Sequence, residues 1–197
     1  MDIEVISLKC PNCNSGVDSS MKECPACDKP IIIRHASQTA TMPMPLVNKY
    51  LGAYRSLESQ YPDNKDVNTA IGLCFLKMKM YDKALVAFEK AMPDNFDNAE
   101  PFYLAAVSLL QGKKAFLTPR PAIDKIEEYL NAAAMIEMRP IFYYFMAYIK
   151  KDYFERKYLN TSPSWQELLQ QAEEFGLQSY DVEDFHTLIN QPGISLN

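Results

Sequence analysis

The residues of this chain best suited to chemistry are four cysteines near its start. Cys10, Cys13, Cys24 and Cys27 follow the spacing C-x2-C-x10-C-x2-C, with Pro11 and Pro25 after the first cysteine of each pair. A CPxC pair predicts a tight knuckle that turns two thiolates toward one ion while backbone N–H groups point at the sulfurs. Two knuckles give four thiolates, a set suited to Zn2+ in a closed structural site with no open position for substrate. The surrounding 30 residues are rich in Cys, Pro, Asn and Ser and poor in large apolar groups. Such a segment cannot bury enough surface to fold alone. Metal binding, on the order of 10–16 kcal/mol in small zinc peptides, supplies the difference. A redox dithiol would need a βαβ context with a helix starting after the first cysteine, and the sequence predicts neither.

The pattern resembles the short zinc ribbons at the N-termini of many prokaryotic proteins, in which two CPxCG knuckles are separated by about nine or ten residues. The resemblance covers residues 8–33 and implies structural zinc. Asn14 and Asp28 stand where the family has glycine. Both residue types tolerate the left-handed conformation better than most, so the knuckles are still expected to form. Rubredoxins hold iron in similar knuckles, but their pairs lie further apart.

Elsewhere the titratable residues read as structural. His35 and His186 have no third ligand nearby in sequence and read as surface or cap residues. Cys74 lies in a helical apolar pattern and reads as an inert core thiol. The acidic pairs Glu127-Glu128 and Glu173-Glu174 read as solvated helix faces, and the scattered methionines as core filling. With six glycines in the chain, a glycine-rich phosphate loop has little room. No nucleophile, acid–base pair or open metal site can be named, so an enzyme is not expected.

Net charge is −5 and pI about 5.1. That argues against nucleic acid and anionic membrane as main partners. Residues 1–35 carry Lys9, Lys22, Lys29 and Arg34 against five acids, with no aromatic for stacking. A nucleic-acid-associated factor acting through the ribbon is therefore the second reading. Acids in Met1-Asp2-Ile3-Glu4 do not fit a secretory leader, and no apolar run is long enough to span a bilayer. The expectation is a cytoplasmic, bacterial protein.

The elements that must position the cysteines follow from periodicity. Residues 1–33 are expected to form the ribbon, with a last strand at 31–33, and 34–44 a linker closed by Pro43 and Pro45. From 45 to 197 the pattern is helical, with breaks at Pro62-Asp63-Asn64 and Pro93-Asp94-Asn95. Pro101 and Pro140 open helices, Ser164 and Glu167 form a capping box, and a final helix near 182–190 stops before Pro192-Gly193.

Within this half, Lys65–Asn98 places Ile71-Gly72 and Phe75 before Ala84, Phe88 and Ala91. That resembles the tetratricopeptide repeat, L-G-x-x-Y followed by A-x-x-x-F-x-x-A. Tyr50, Tyr54, Leu57 and Pro62 fall in the same register about 34 residues earlier, as a half repeat. The following units, 99–140 and 141–178, are degenerate. The first carries an insertion around Gly112–Pro121 and the second a lengthened, aromatic first helix.

The resemblance implies a mainly α fold, a solenoid of antiparallel helix pairs behind a small β ribbon. It also implies a concave face lined by Thr69, Leu73, Leu76 and Lys77, then Tyr103, Val107 and Leu110, then Tyr144, Tyr148 and Lys151. Thr69 and Leu73 replace the Lys and Asn with which the chaperone-binding subfamily grips a carboxylate, so a chaperone tail is not the expected ligand. The expectation is a non-enzymatic adaptor that binds a protein or peptide, although aromatics all round residues 142–158 equally fit core packing.

Overall fold

A computed structural model describes residues 5–191. The expectations for residues 1–4 and for Pro192-Gly193 lie outside the described residues. The described chain is mainly helical, with a small antiparallel sheet near its start, and it divides into two compact units at Pro93 and Asp94.

In the first unit, β1 (Ser7–Lys9) pairs with β2 (Gly16–Asp18) in the register Leu8 to Val17. Both strands turn one apolar side chain inward, Leu8 and Val17. Residues 31–33, expected to be a strand, are an irregular segment instead. Ile31, Ile32 and Ile33 are nevertheless fully buried. Helix α2 (Met44–Glu58) explains why. Tyr50 donates its hydroxyl to the Pro30 carbonyl at 2.7 Å. Tyr54 donates to the Ile31 carbonyl and accepts from the Ile33 N–H, both at 3.0 Å. Two tyrosines thus satisfy the backbone groups that a strand partner would have taken, and burial raises both hydroxyl pKa values.

Residues 34–44, expected as a linker, contain the short helix α1 (Ala36–Ala40), and α2 begins within them, at Met44. The next helices are α3 (Lys65–Lys77), capped by the Asn64 side chain on the Val67 N–H, and α4 (Tyr81–Ala91). They cross where glycine is needed. A Cβ on Gly72 would lie 2.6 Å from Phe88 Cδ1 and 2.8 Å from Cζ, inside van der Waals contact. The connection is tight: Lys79 takes φ 57° and the Met80 N–H reaches back to the Phe75 carbonyl at 2.9 Å. That is a Schellman cap built without glycine.

The second unit contains α5 (Glu100–Leu109), α6 (Arg120–Ile136), α7 (Pro140–Ile149), α8 (Trp165–Glu174) and α9 (Ser179–Leu188). Pro101 and Pro140 sit in first turns, and Ser164 with Glu167 forms the capping box. Beyond α7 the helix widens into a π segment, Lys150–Phe154, and ends in a 3-10 turn, Glu155–Lys157. The last helix starts earlier than the sequence suggests, because Gln178 and Asp181 form a capping box there. Phe142, Phe145, Tyr148 and Phe185 are fully buried and form the aromatic core of this unit.

Candidate metal centre and helix faces

The cysteine knuckles are built twice in the same way. In the first, the Cys10 N–H bonds the Ser15 carbonyl at 2.8 Å and the Asn14 N–H bonds the Cys10 carbonyl at 2.9 Å. In the second, the Cys24 N–H bonds the Lys29 carbonyl at 2.9 Å and the Asp28 N–H bonds the Cys24 carbonyl at 2.9 Å. Asn14 and Asp28, the two departures from glycine, take φ 66° and 53°. These are left-handed values that Asn and Asp reach at lower cost than other side chains.

The knuckles bring all four sulfurs within 4.8 Å of one another. Cys10 Sγ lies 3.7 Å from Cys27 Sγ, and Cys13 Sγ lies 3.5 Å from Cys24 Sγ. A tetrahedral ion with sulfurs at about 2.3 Å requires sulfur pairs about 3.8 Å apart, so the donor set fits a metal ion of that kind. Cys10 and Cys24 are buried and Cys13 is exposed. Hydrogen bonding to the Ser15 side chain, then to its backbone, lowers the Cys13 thiol to about 6. A hydrogen bond from Ala26 would lower Cys24 too, but burial and the neighbouring thiols hold it at about 12.

The helix-face residues named from the repeat resemblance fall mainly inside the molecule. Thr69, Leu73 and Leu76 are buried, and Lys77 is half-buried. Asp66, Thr69, Leu73 and Lys77 share one face of α3 by helical spacing. Both ends of that face are engaged by the segment before α2: Arg34 pairs with Asp66 at 3.0 Å, and Lys77 donates to the Ala40 carbonyl. This face of α3 therefore meets α1 of the same chain.

In the second unit, Tyr103, Val107, Leu110, Tyr144 and Tyr148 are buried, with Lys151 half-buried beside the Trp165 ring, 4.2 Å from its centroid. Their hydroxyls find internal partners in two cases. Tyr144 meets His186 Nε2 at 2.9 Å, and Tyr148 accepts from the Ala115 N–H at 3.3 Å. Burial pushes both phenols up to about 12.

Two residues matter more than sequence reasoning suggested. His186, read as a surface or cap residue, is buried at 7% exposure against Tyr144 and Phe185. Its Nδ1 has no hydrogen-bond partner among the described residues, and burial lowers its pKa. Asp152, passed over entirely, is 3% exposed inside the π segment. It accepts from the Phe116 N–H at 2.9 Å and pairs with Arg156 at 2.7 Å. With Tyr148 it ties the turn at Ala115–Leu117 to the helical segment that follows α7. Cys74 is fully buried, and its thiol is raised to about 12 by desolvation.

The fold and the site together define a mainly helical protein with an N-terminal four-cysteine centre able to hold a metal ion. No known family model matches the chain, and no curated protein matches it. No helix among the described residues is long and apolar enough to cross a membrane.

Proposed function

We propose that this chain is a non-catalytic, cytoplasmic adaptor in which a zinc-stapled ribbon is joined to tetratricopeptide-like helices. Zinc is favoured by the all-thiolate set at tetrahedral spacing, a closed arrangement that serves folding rather than reaction. The repeat reading is supported by the α3–α4 crossing, where Phe88 lies against Gly72 as the motif requires. It is supported as well by consecutive helices that pack as neighbours, α5 on α6 and α7 on α8.

The single observation that carries the adaptor reading is the engagement of α1 by α3. The face that the resemblance assigns to a peptide holds a short helix of this chain, between the Arg34–Asp66 pair and the Lys77–Ala40 bond. Such a face is suited to helix recognition, and a partner segment would exchange with α1 there. The test is affinity capture from nuclease-treated lysate with wild type and with Thr39→Lys, which places a charge where α1 is buried. A protein retained more strongly by the variant, and eluted by a synthetic 34–44 peptide, supports the role. If neither form retains any protein specifically, the adaptor reading fails.

A further inference from the structure

Among the described residues the ribbon has an unpaired edge, and that edge lines a groove. In an antiparallel ladder, residues alternate between pairs that exchange both backbone bonds and pairs that exchange none. Here the Ser19 N–H bonds the Ile6 carbonyl at 3.0 Å, and the Cys10 N–H bonds the Ser15 carbonyl at 2.8 Å. With Leu8 opposite Val17, the inward-bonding residues of this strand are Ile6, Leu8 and Cys10. The N–H and C=O groups of Ser7 and Lys9 consequently point away from β2. Among the described residues they bond to nothing.

Ser7 and Lys9 line one wall of a cleft of about 730 Å3, within the usual size range of ligand clefts. The other wall is α2, which contributes Lys49, Ala53 and Ser56, with Leu57 buried at the base. Ala53 and Ser56 present small side chains to it. Among the described residues the charge is one-sided: Lys9 and Lys49 line the cleft, and no Asp or Glu does. Lys9 has no partner among the described residues, and Lys49 spends one of its donors on the Asn12 carbonyl.

We infer that this cleft binds an extended acidic segment of a partner protein, added as a third strand beside Ser7–Lys9. Backbone bonds to Ser7 and Lys9 supply strand addition, and the two lysines select carboxylates on alternate residues. The inference rests on the adaptor reading only in supposing a protein partner. It uses none of the helix faces discussed above.

The experiment selects from a displayed library of random eight-residue peptides against the zinc-loaded, full-length protein, with Lys9→Glu/Lys49→Glu as the counter-selected form. The expected winners carry Asp or Glu at alternate positions. They shift the Ser7 and Lys9 amide resonances, and they weaken several-fold between low and high salt. Ser7→Pro removes an outward N–H while sparing the ladder bonds of Ile6, Leu8 and Cys10, so it should keep its metal and bind about tenfold more weakly. N-methylation of the peptide should have the same effect.

Absence of enrichment over the counter-selected form overturns the inference. So do winners whose shifts spare Ser7 and Lys9 and map to helices other than α2, an outcome that leaves the adaptor role standing. Equal binding of an oligonucleotide, sensitive to the lysines but not to Ser7→Pro, overturns it in favour of a general polyanion site.

Discussion

Gly72→Ala is the most direct perturbation of the helical register. Alanine should favour α3 by about 1 kcal/mol, because glycine is the costlier residue in a helix interior. The structure opposes that gain. The new Cβ would lie 2.6 Å from Phe88 Cδ1, and Phe88 is fully buried, so its ring cannot swing into solvent. Overpacking of this kind costs about 1–3 kcal/mol, and a buried ring with no free side places the cost at the upper end. The expected net loss is about 2 kcal/mol. In a unit of this size that lowers Tm by roughly 10 °C.

Guanidinium and thermal melts of the metal-loaded protein, followed by helical circular dichroism, measure the loss. Phe88→Leu should be destabilising alone but should relieve the alanine. The double-mutant cycle should then show a favourable coupling of about 1–2 kcal/mol. A Gly72→Ala protein as stable as the parent, or a cycle with no coupling, would refute the close-crossing argument.

Other perturbations give separate readouts. Cys10→Ser or Cys24→Ser should abolish stoichiometric zinc retention and unfold the ribbon while most helical signal persists. Retained zinc in the double variant would refute the site. Asp152→Ala should cost about 2–3 kcal/mol, discounted from a fully buried pair because Arg156 is half exposed, and should open the 112–121 segment to limited proteolysis. An unchanged cleavage pattern would count against the clasp. His186 has a folded pKa below its ordinary value, so the unfolded chain takes up more protons as pH falls through about 6.5. Stability should fall with pH in that window and be regained above it, and His186→Leu should flatten the dependence. A wild-type curve identical to the variant's between pH 7.5 and 5 would show that burial of the imidazole carries no such linkage.

Much of the local structure could be read along the chain, because its determinants lie a few residues apart. Cysteine spacing with Pro11 and Pro25 is enough to specify two knuckles, and Asn14 and Asp28 are the residues that can follow them left-handed. Ser164 and Glu167 start α8, and Pro101 and Pro140 start their helices, through side chains within one turn of the backbone they serve. That α3 and α4 approach closely at Gly72 was legible as well, from small residues in helices adjacent along the chain; that the ring of Phe88 fills the space there came from the structure.

What the sequence left open depended on which residues meet from farther away. Ile31–Ile33 have strand-like composition, but Tyr50 and Tyr54, about 20 residues on, take their backbone bonds and hold them against α2. Residues 36–40 are too few to make a stable helix alone, and α1 exists against α3. His186 reads as polar in any local window and is buried because Tyr144, 42 residues earlier, supplies its hydrogen bond. Spacing, charge and turn chemistry are properties of neighbours in the chain, and the sequence alone determined them. Burial, and with it the difference between an open face and an occupied one, is a property of neighbours in space, and only the tertiary structure decided it.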